Sequence, residues 1–326
     1  MLAIGICAVA TQYSVVDAVF LRGFSFPNAD RLVSVQLIDP TRTTPFGTFS
    51  QTFALDYVEM QKQQTTLEHM AAYINGATVN VTLDGRAQRY TGAYVTEDFL
   101  RTLGVHPMLG RDFEAADNTP GAPKVAILGY DIWQRDLGGD PNVLGKSMRV
   151  NGKPATIVGV MAAGFAFPQN EQLWIPLFNE YPPAARNDQN AAGNGVAVLA
   201  TRKPNVTVER ATAEFDTFAK RLAATYPDTN KAFNTGLVEP LIETFTPRQL
   251  RGVLFTMLGF CVGVLMLACV NVMNMQFARA TLRAKELAIR SSLGATRGRL
   301  VRQMLTESLL LAGIGATLGT ALAFKA

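Results

Sequence analysis

The stretch VLFTMLGFCVGVLMLACVNVMNMQ, residues 253 to 276, runs for 24 residues without a charged side chain. As an α-helix it would be about 36 Å long, and the hydrocarbon core of a bilayer is roughly 30 Å thick. A buried core helix of a water-soluble protein rarely stays uncharged over such a length. We therefore predict a membrane-spanning helix at about 253–277.

Two further apolar runs lie near the ends of the chain. Residues 308–324 form a run of 17 uncharged residues, and we predict a truncated span at about 304–324. Residues 1–21 carry one charged side chain, Asp17, and no Lys or Arg precedes Arg22. Because a secretory signal peptide begins with a basic segment, we expect residues 1–22 to form a first transmembrane helix whose start is missing.

The positive charge is concentrated between the second and third apolar runs. The net charge is +4, and residues 279–303 hold seven Lys or Arg against one acidic residue, whereas the rest of the chain holds 23 basic and 25 acidic residues. Short loops rich in Lys and Arg stay in the cytoplasm. We therefore predict a cytoplasmic loop at 279–303 and an extracytoplasmic segment at about 28–246. Nucleic acid is the other partner of basic patches, but a loop fixed between two spans argues against it.

The segment at about 28–246 mixes strand and helix periodicities. Alternating apolar residues around Asp84-Gly85 and around Asn151-Gly152 predict two β-hairpins. The stretches FALDYVEMQKQQ, TEDFLRTLG and TVERATAEFDTFAKRLAATYP predict amphipathic helices, and Thr207 is the expected N-cap of the last one. The apolar face of that helix consists of Ala211, Phe215, Phe218 and Leu222. Hairpins and helices together predict an α+β domain inserted between transmembrane helices.

The cysteines indicate how this domain is stabilised. Cys7, Cys261 and Cys269 all lie in apolar runs, so the segment 28–246 contains none. It therefore cannot form disulfides. With about 220 residues, a domain can bury enough apolar surface to fold without them.

The stretch GGDPNVLGKS, residues 138–147, superficially resembles a phosphate-binding loop. A Walker A loop needs glycine five positions before its Gly-Lys-Ser, and Asp140 occupies that position. Pro141 follows and lacks the backbone N–H that would face the anion. A helix is predicted before the stretch and a hairpin after it, the reverse of strand, loop and helix. We therefore expect no ATP binding by this chain.

No other pattern indicates an enzyme, a metal site or a cofactor. The two histidines, His69 and His106, lie far apart in the sequence and lack a partner at ligand spacing. We expect them to be ordinary surface or partly buried side chains. Asp56 and Glu59 share a face of one predicted helix, and paired carboxylates in that arrangement usually form its solvated side.

The basic loop contains its own helix signals. The stretch RAKELAIRSSLGATRGRLVRQMLTES predicts a helix that ends at Leu293, with Gly294 as its stop and Thr296 as the cap of a second helix. Glu286 and Arg290 lie four residues apart, a spacing at which opposite charges on a helix attract each other weakly.

The spans carry small and polar residues suited to helix packing. Two Gly-x-x-x-Gly pairs occur, Gly259 with Gly263 and Gly315 with Gly319, and they permit close approach of helices. Glycine is also common in membrane helices in general, so a packing role is one of two interpretations of each pair. Asn271 and Asn274 are candidates for hydrogen bonds between helices.

Ordered blocks over nearly the whole length resemble the MacB/FtsX-type permease subunits of ABC transporters, particularly the acidobacterial-type permeases in which the unit is duplicated. The blocks are SVVDAVFLRGFSFPNADRLV, GAYVTEDFLRTLGVHPMLGRDF, VAILGYDIWQRDLGGDPNVLGKSMRVNGKPATIVGVM, GFAFP with LWIPL, TVERATAEFDTFAKRLAATYPDTNK and ACVNVMNMQFARATLRAKELAIRSSLGATRGRLVRQMLTESLLL. The resemblance implies a MacB-like periplasmic core domain at 28–246 and an FtsX-like permease domain at 250–326, in a multi-pass protein of the bacterial inner membrane.

The resemblance also implies partners and a mechanism. Such permeases dimerise, or pair with a second permease half, and a separate cytoplasmic ABC ATPase docks on the helix of the intracellular loop. ATP-driven closure is then transmitted through the spans to the periplasmic domains, a mechanism called mechanotransmission. The matching docking residues are Arg283, Lys285, Glu286, Leu287, Arg290, Leu293 and Gly294. Because the family unit has four spans, we expect this sequence to be a fragment of a longer permease.

Two alternatives compete with an export permease. One is a membrane receptor with an extracytoplasmic sensing domain and no ATPase. The other is a non-functional truncated remnant. No residue selects a transported substrate, because the spans carry no charge apart from Asp17 and Glu307, near the ends of their apolar stretches.

Overall fold

The structure is a computed structural model that describes residues 2–17, 23–44, 47–83, 85–187, 195–246, 248–282, 285, 289 and 297–323. It divides into two compact units. The α/β unit comprises Phe24–Phe245, and the helical unit combines Met1–Gly23 with Thr246–Ala326.

Helices and strands alternate irregularly along the described part of the chain. The helices are α1 (Leu2–Val16), α2 (Ala54–Gln63), α3 (Phe99–Leu103), α4 (Tyr130–Asp136), α5 (Leu177–Glu180), α6 (Val208–Thr225), α7 (Pro227–Asn230), α8 (Leu241–Phe245), α9 (Arg248–Leu282) and α10 (Arg297–Ala323). The strands are β1 (Leu32–Thr44), β2 (Gly47–Ser50), β3 (Thr52–Phe53), β4 (Leu67–Leu83), β5 (Arg86–Val95), β6 (Leu109–Gly110), β7 (Val125–Leu128), β8 (Ser147–Val150), β9 (Lys153–Val160), β10 (Leu173–Pro176), β11 (Gly195–Arg202) and β12 (Thr235–Pro240).

Four long strands of the α/β unit form an antiparallel sheet in the order β12-β1-β11-β4. With α2 after β1 and α6 after β11, this is the β-α-β-β-α-β arrangement of ferredoxin-like folds. Val35 and Val198 are paired across β1 and β11, and they share a buried core with Tyr57 of α2 and Phe215 of α6. Both helices therefore cover the same face of the sheet.

β4 also forms a closed ring of six strands with five strands that lie between β4 and β11 in the chain. The pairings β4-β5, β5-β10, β10-β7, β7-β9, β9-β8 and β8-β4 complete the circuit. Val81 and Val150 are directly opposite each other in β4 and β8, and both are buried. Because β4 belongs to both the sheet and the ring, the two parts share one strand.

Both predicted hairpins are present. Leu83 pairs with Arg86 across the first turn, and Val150 pairs with Lys153 across the second. Asn151 and Gly152 have φ values of 49° and 80°, which is the left-handed pair that a two-residue hairpin turn requires. This turn is the one place where a non-glycine residue of the described chain adopts a positive φ.

The second face of the central sheet is covered by a second buried core. It contains Ala71 and Tyr73 of β4 together with Phe99, Leu100 and Leu103 of α3. Residues of β4 therefore alternate between two buried cores. The predicted α+β fold is confirmed.

The longest helix of the α/β unit follows its sequence pattern closely. The Thr207 side chain accepts a hydrogen bond of 3.2 Å from the backbone N–H of Arg210, as an N-cap does. The predicted apolar face is buried and consists of Ala211, Phe215, Phe218 and Leu222.

Candidate functional site

Helix α1 packs against α9 at Gly5, which is buried. A Cβ atom added to Gly5 would lie 3.0 Å from Cδ1 and 3.2 Å from Cα of Leu265, so a larger residue would push the helices apart. The side-chain amide of Gln12 donates a hydrogen bond of 3.3 Å to the backbone oxygen of Leu254. The role of Gly5 could not be predicted from the sequence, because a single glycine in an apolar run carries no pattern.

Helix α1 also packs against α10, where the second predicted glycine pair lies. A Cβ atom on Gly319 would lie 2.7 Å from the backbone oxygen of Ala3 and 3.0 Å from Cβ of Ile6. A Cβ atom on Gly315 would lie 3.0 Å from Cδ2 of Leu2. The structure thus places both glycines of this pair at a helix contact.

The other predicted pair lies on open surface of α9. Nothing in the described part of the chain lies within 4 Å of a Cβ atom built on Gly259 or on Gly263. Asn271 and Asn274 are exposed on the same helix. A packing role for these four residues therefore remains a prediction.

The surface of α9 is unusually apolar for a protein in water. Phe260 is 74% and Phe277 is 65% exposed. Among the described residues, Leu250–Arg279 forms the one helix that is long and apolar enough to cross a membrane, and Leu2–Val16 and Ala312–Leu322 are shorter apolar helices. Lipid or partner helices are the surroundings that such a surface fits.

Most of the predicted ATPase-docking residues lie outside the described residues. They are Arg283, Glu286, Leu287, Arg290, Leu293 and Gly294. Lys285 is described as helical and exposed. The docking helix therefore remains a prediction from sequence.

The stretch that resembles a phosphate loop connects α4 to β8, the order of elements that the sequence predicted. Its lysine is engaged internally, since Lys146 Nζ lies 2.5 Å from Asp140 Oδ2. The backbone N–H of Asn142 donates to the other carboxylate oxygen at 2.9 Å. These two contacts hold the pKa of the Asp140 carboxyl below its usual range. The Asp140 carboxylate therefore occupies the lysine that a phosphate-binding loop would use for its anion.

The prediction that Asp56 and Glu59 lie on a solvated helix face is wrong for Asp56, which is completely buried. Arg186 Nε donates to Asp56 Oδ1 at 2.6 Å and Arg186 Nη2 donates to Glu59 Oε2 at 3.1 Å. The amide of Asn230 donates to Asp56 Oδ2 at 2.6 Å, and the guanidinium lies 3.8 Å from the ring centroid of Tyr226. This network joins α2, α7 and the segment after α5, so its role is structural.

The two histidines occupy ordinary positions, as predicted. His69 is partly buried in β4, and His106 is exposed after α3. Across the described ranges, no group of three His, Cys, Asp or Glu side chains is placed to hold a metal ion.

Two family models match the chain in succession. The MacB-like periplasmic core domain matches residues 1–218, and the FtsX-like permease C-terminal domain matches residues 258–325. The first match alone covers more than half of the chain.

Curated relatives carry transporter names. The chain is 27% identical over 219 residues to the pyoverdine export ATP-binding/permease protein PvdT of Pseudomonas syringae pv. tomato, covering 66% of this chain and 32% of the relative. It is 27% identical over 235 residues to the macrolide export ATP-binding/permease protein MacB of Chromobacterium violaceum, covering 71% of this chain and 34% of the relative. It is 23% identical over 265 residues to the ABC transporter permease YknZ of Bacillus subtilis, covering 80% of this chain and 60% of the relative. The chain thus spans about a third of the length of the first two relatives.

A solved structure has the same fold. A domain of a protein described as a permease from Porphyromonas gingivalis superposes with a TM-score of 0.50 at 18% identity, covering 67% of this chain and 93% of that domain. The likeness supports the α+β architecture.

Proposed function

Because the chain belongs to the MacB/FtsX-like permeases of ABC transporters, we propose that it is a membrane subunit that carries ATP-driven movement from a separate cytoplasmic ATPase to its α/β unit. The observation that carries this proposal is the packing of α1. This helix precedes the α/β unit in the chain, and it packs against α9 at Gly5 and against α10 at Gly319, two helices that follow the α/β unit.

The packing gives a route for movement. A displacement of α9 or α10 toward α1 also displaces α1, because helices in such close contact cannot approach each other further. The α/β unit is then moved at both ends of its chain. If only one end of the unit were connected to the moving helices, the unit could stay in place when they move.

The charge pattern supports a topology for this subunit. The basic residues of 279–303 favour the cytoplasm, so the α/β unit lies outside the cytoplasm, in a multi-pass protein of the bacterial inner membrane. The ATPase docks on the helix that the sequence predicts around Leu287, and the open glycine pair on α9 suits a second permease copy or half. The names of the relatives PvdT and MacB favour export as the direction of transport.

Co-purification tests this assignment. The full chain is co-expressed with the ABC ATPase subunits of its own genome, and each variant is compared with the natural protein. Leu287→Asp places an unpaired carboxylate in the proposed contact, and Glu286→Arg adds a like charge beside Arg283 and Arg290. Each change should weaken ATPase binding by roughly 1–4 kcal/mol, which is tenfold or more in affinity.

A matched control separates docking from general damage. Lys62→Glu changes the charge of an exposed residue on α2 and should leave both membrane insertion and ATPase binding unchanged. ATPase binding by the natural protein that persists in both loop variants would overturn the docking assignment. If no ATPase is retained by the natural protein, the permease proposal fails and a receptor becomes the better account.

A further inference from the structure

The two ends of the α/β unit meet in a cluster of phenylalanine rings, which we call the aromatic base. Its members are Phe24, Phe26, Phe165, Phe167 and Phe245. Phe24 and Phe245 are the first and last residues of the unit, and their ring centroids are 5.6 Å apart at an interplanar angle of 85°. The two points where the chain enters and leaves the unit are therefore in direct contact.

Phe167 lies between these two ends. Its ring centroid is 5.6 Å from that of Phe24 and 5.6 Å from that of Phe245, so the three rings form a closed triangle. Phe167 is 6% exposed. Phe24 meets both other rings edge to face, whereas Phe167 and Phe245 are tilted by 52°. Aromatic pairs have preferred geometries, and three mutual contacts resist sliding of any one ring.

The β9–β10 connection, which carries Phe167, is fixed to the sheet. The indole N–H of Trp174 in β10 donates a hydrogen bond of 3.0 Å to the backbone oxygen of Phe167. The ring of Phe165 lies 5.0 Å from that of Trp174. Trp174 is completely buried, so the aromatic base is anchored in the interior of the unit.

A buried carboxylate gives the same connection a second anchor. Glu171 is 1% exposed and accepts hydrogen bonds from the backbone N–H of Gly76 in β4 at 3.0 Å and of Gln169 at 2.5 Å. The connection is thus tied to β4, the strand that the sheet and the ring share. A force on Phe167 is therefore passed to both parts of the unit.

We propose that Phe24, Phe167 and Phe245 form a joint that makes the α/β unit follow its two flanking chain segments together. This inference rests on the function proposed above and names the residues that transmit its movement. Without the rings, the first and last residues of the unit would be mobile, as unpacked chain termini are. Displacement of the flanking segments would then move these residues and not the sheet. With them, displacement at either end reaches the sheet through Phe167.

The test uses the full chain with its ATPase in lipid nanodiscs. The native cysteines Cys7, Cys261 and Cys269 are replaced by serine, and spin labels are attached at Lys62→Cys and Tyr13→Cys. The distance between the labels is measured with and without ATP and vanadate, and ATP turnover is measured on the same samples. If the rings only stabilised the fold, their removal would not reduce the distance change while leaving ATP turnover intact.

The variants are Phe24→Ala and Phe245→Ala, with Phe24→Tyr as the form that keeps a ring. Phe233→Ala is the matched control, because Phe233 also packs on two rings, Phe49 at 5.9 Å and Phe53 at 6.4 Å, away from the chain ends. We expect the nucleotide-dependent shift in distance to fall at least threefold in both alanine variants while ATP turnover stays within twofold. Phe24→Tyr and Phe233→Ala should keep the shift.

Each other outcome has a defined meaning. An undiminished shift in Phe24→Ala and Phe245→Ala overturns the joint and leaves the permease function standing, and so does an equal loss in Phe233→Ala. No shift in the natural protein, despite ATP turnover, overturns the proposed function and the joint with it. If an alanine variant fails to fold, loss of the shift in Phe24→Leu and its retention in Phe24→Tyr decide in favour of the joint, and equal shifts decide against it.

Discussion

Gly319 of α10 lies so close to α1 that a Cβ atom on it would be 2.7 Å from the backbone oxygen of Ala3. A distance below 3.0 Å to a backbone atom cannot be relieved by rotating a side chain, so any larger residue must move one helix. The same helix carries Gly313, around which nothing described lies within 4 Å of such a Cβ atom. The two glycines therefore differ in surroundings while sharing one helix.

We expect Gly319→Leu to destabilise the helical unit by roughly 1–3 kcal/mol, the cost of overpacking. Gly313→Leu adds the same side chain to open surface and should be neutral or slightly stabilising, since leucine favours helix over glycine. Thermal unfolding of the detergent-solubilised protein, followed by far-UV circular dichroism, compares the two variants. Equal midpoints for both variants would contradict the packing of α1 on α10.

The α/β unit should fold alone without disulfides, because all three cysteines lie outside it. Unfolding of two fragments also tests the predicted domain boundary at residue 28. A fragment of residues 28–246 lacks Phe24 and Phe26 of the aromatic base, and a fragment of residues 24–246 keeps them. We expect the shorter fragment to be less stable by roughly 2–4 kcal/mol, since both rings are partly buried.

Urea unfolding of the two fragments, with and without reductant, measures these differences. Neither midpoint should depend on the reductant. Coinciding midpoints for the two fragments would show that the rings at the chain entry contribute nothing, and aggregation of both in every buffer would contradict independent folding.

Local patterns predicted the elements that depend on neighbouring residues. The Asn151-Gly152 turn and the apolar face of α6 were found because hairpin turns and helical periodicity are encoded within a few positions. The closed ring of six strands was not predicted, because its closure depends on the pairing of Val81 with Val150. No local periodicity specifies which strands pair over such a separation.

The same limit explains the missed burial of Asp56. Its position on a helix face resembles a solvated one, and its partner Arg186 lies in a distant segment. The aromatic base was missed for this reason too, since Phe24, Phe167 and Phe245 are separated along the chain and meet only in the folded unit. Contacts of this kind follow from tertiary structure alone.

Arg186→Ala should destabilise the α/β unit strongly. It leaves the completely buried carboxylate of Asp56 without its cation, and breaking such a pair costs roughly 3–5 kcal/mol. Arg186→Lys should recover only part of the loss, because an ammonium lacks the planar fork that bonds both carboxylates. In an Asp56→Asn background the effect of Arg186→Ala should shrink.

Arg221→Ala is the control for this series. Its guanidinium lies 3.7 Å from Glu59, and its side chain is 45% exposed, so its removal should cost about 1 kcal/mol or less. Urea unfolding of the α/β unit measures the change in the free energy of unfolding for each of these four substitutions. Similar losses for Arg186→Ala and Arg221→Ala would show that burial of the network contributes nothing.

Asp112 gives the stability of the α/β unit a pH dependence of defined sign. Burial raises the pKa of its carboxyl from 3.8 to about 6, although the backbone N–H of Phe113 and the charges of His106 and Arg101 oppose the rise. Because the folded form binds the proton more tightly, this group favours folding below about pH 4. Its contribution is lost as the pH rises from about 4 to about 6.

Asp112→Asn cannot ionise, and its side-chain oxygen can still accept from the N–H of Phe113. We expect this variant to be more stable than the natural protein by roughly 1–2 kcal/mol at pH 7.5, with the advantage vanishing near pH 4. Asp131→Asn removes the same charge from an exposed position of α4 and controls for net charge. An advantage of Asp112→Asn that is equal at both pH values would contradict burial as its cause.

We propose that ATP hydrolysis by a separate subunit moves the α/β unit of this chain. Hydrogen–deuterium exchange of the full chain, reconstituted with its ATPase in liposomes, measures this movement. We expect ATP to change exchange at residues 24–28 and 241–245. This sustained change should be lost with an ATPase that cannot hydrolyse ATP. If the ATPase turns over and exchange at these residues is the same with and without ATP, the α/β unit is not moved by ATP hydrolysis.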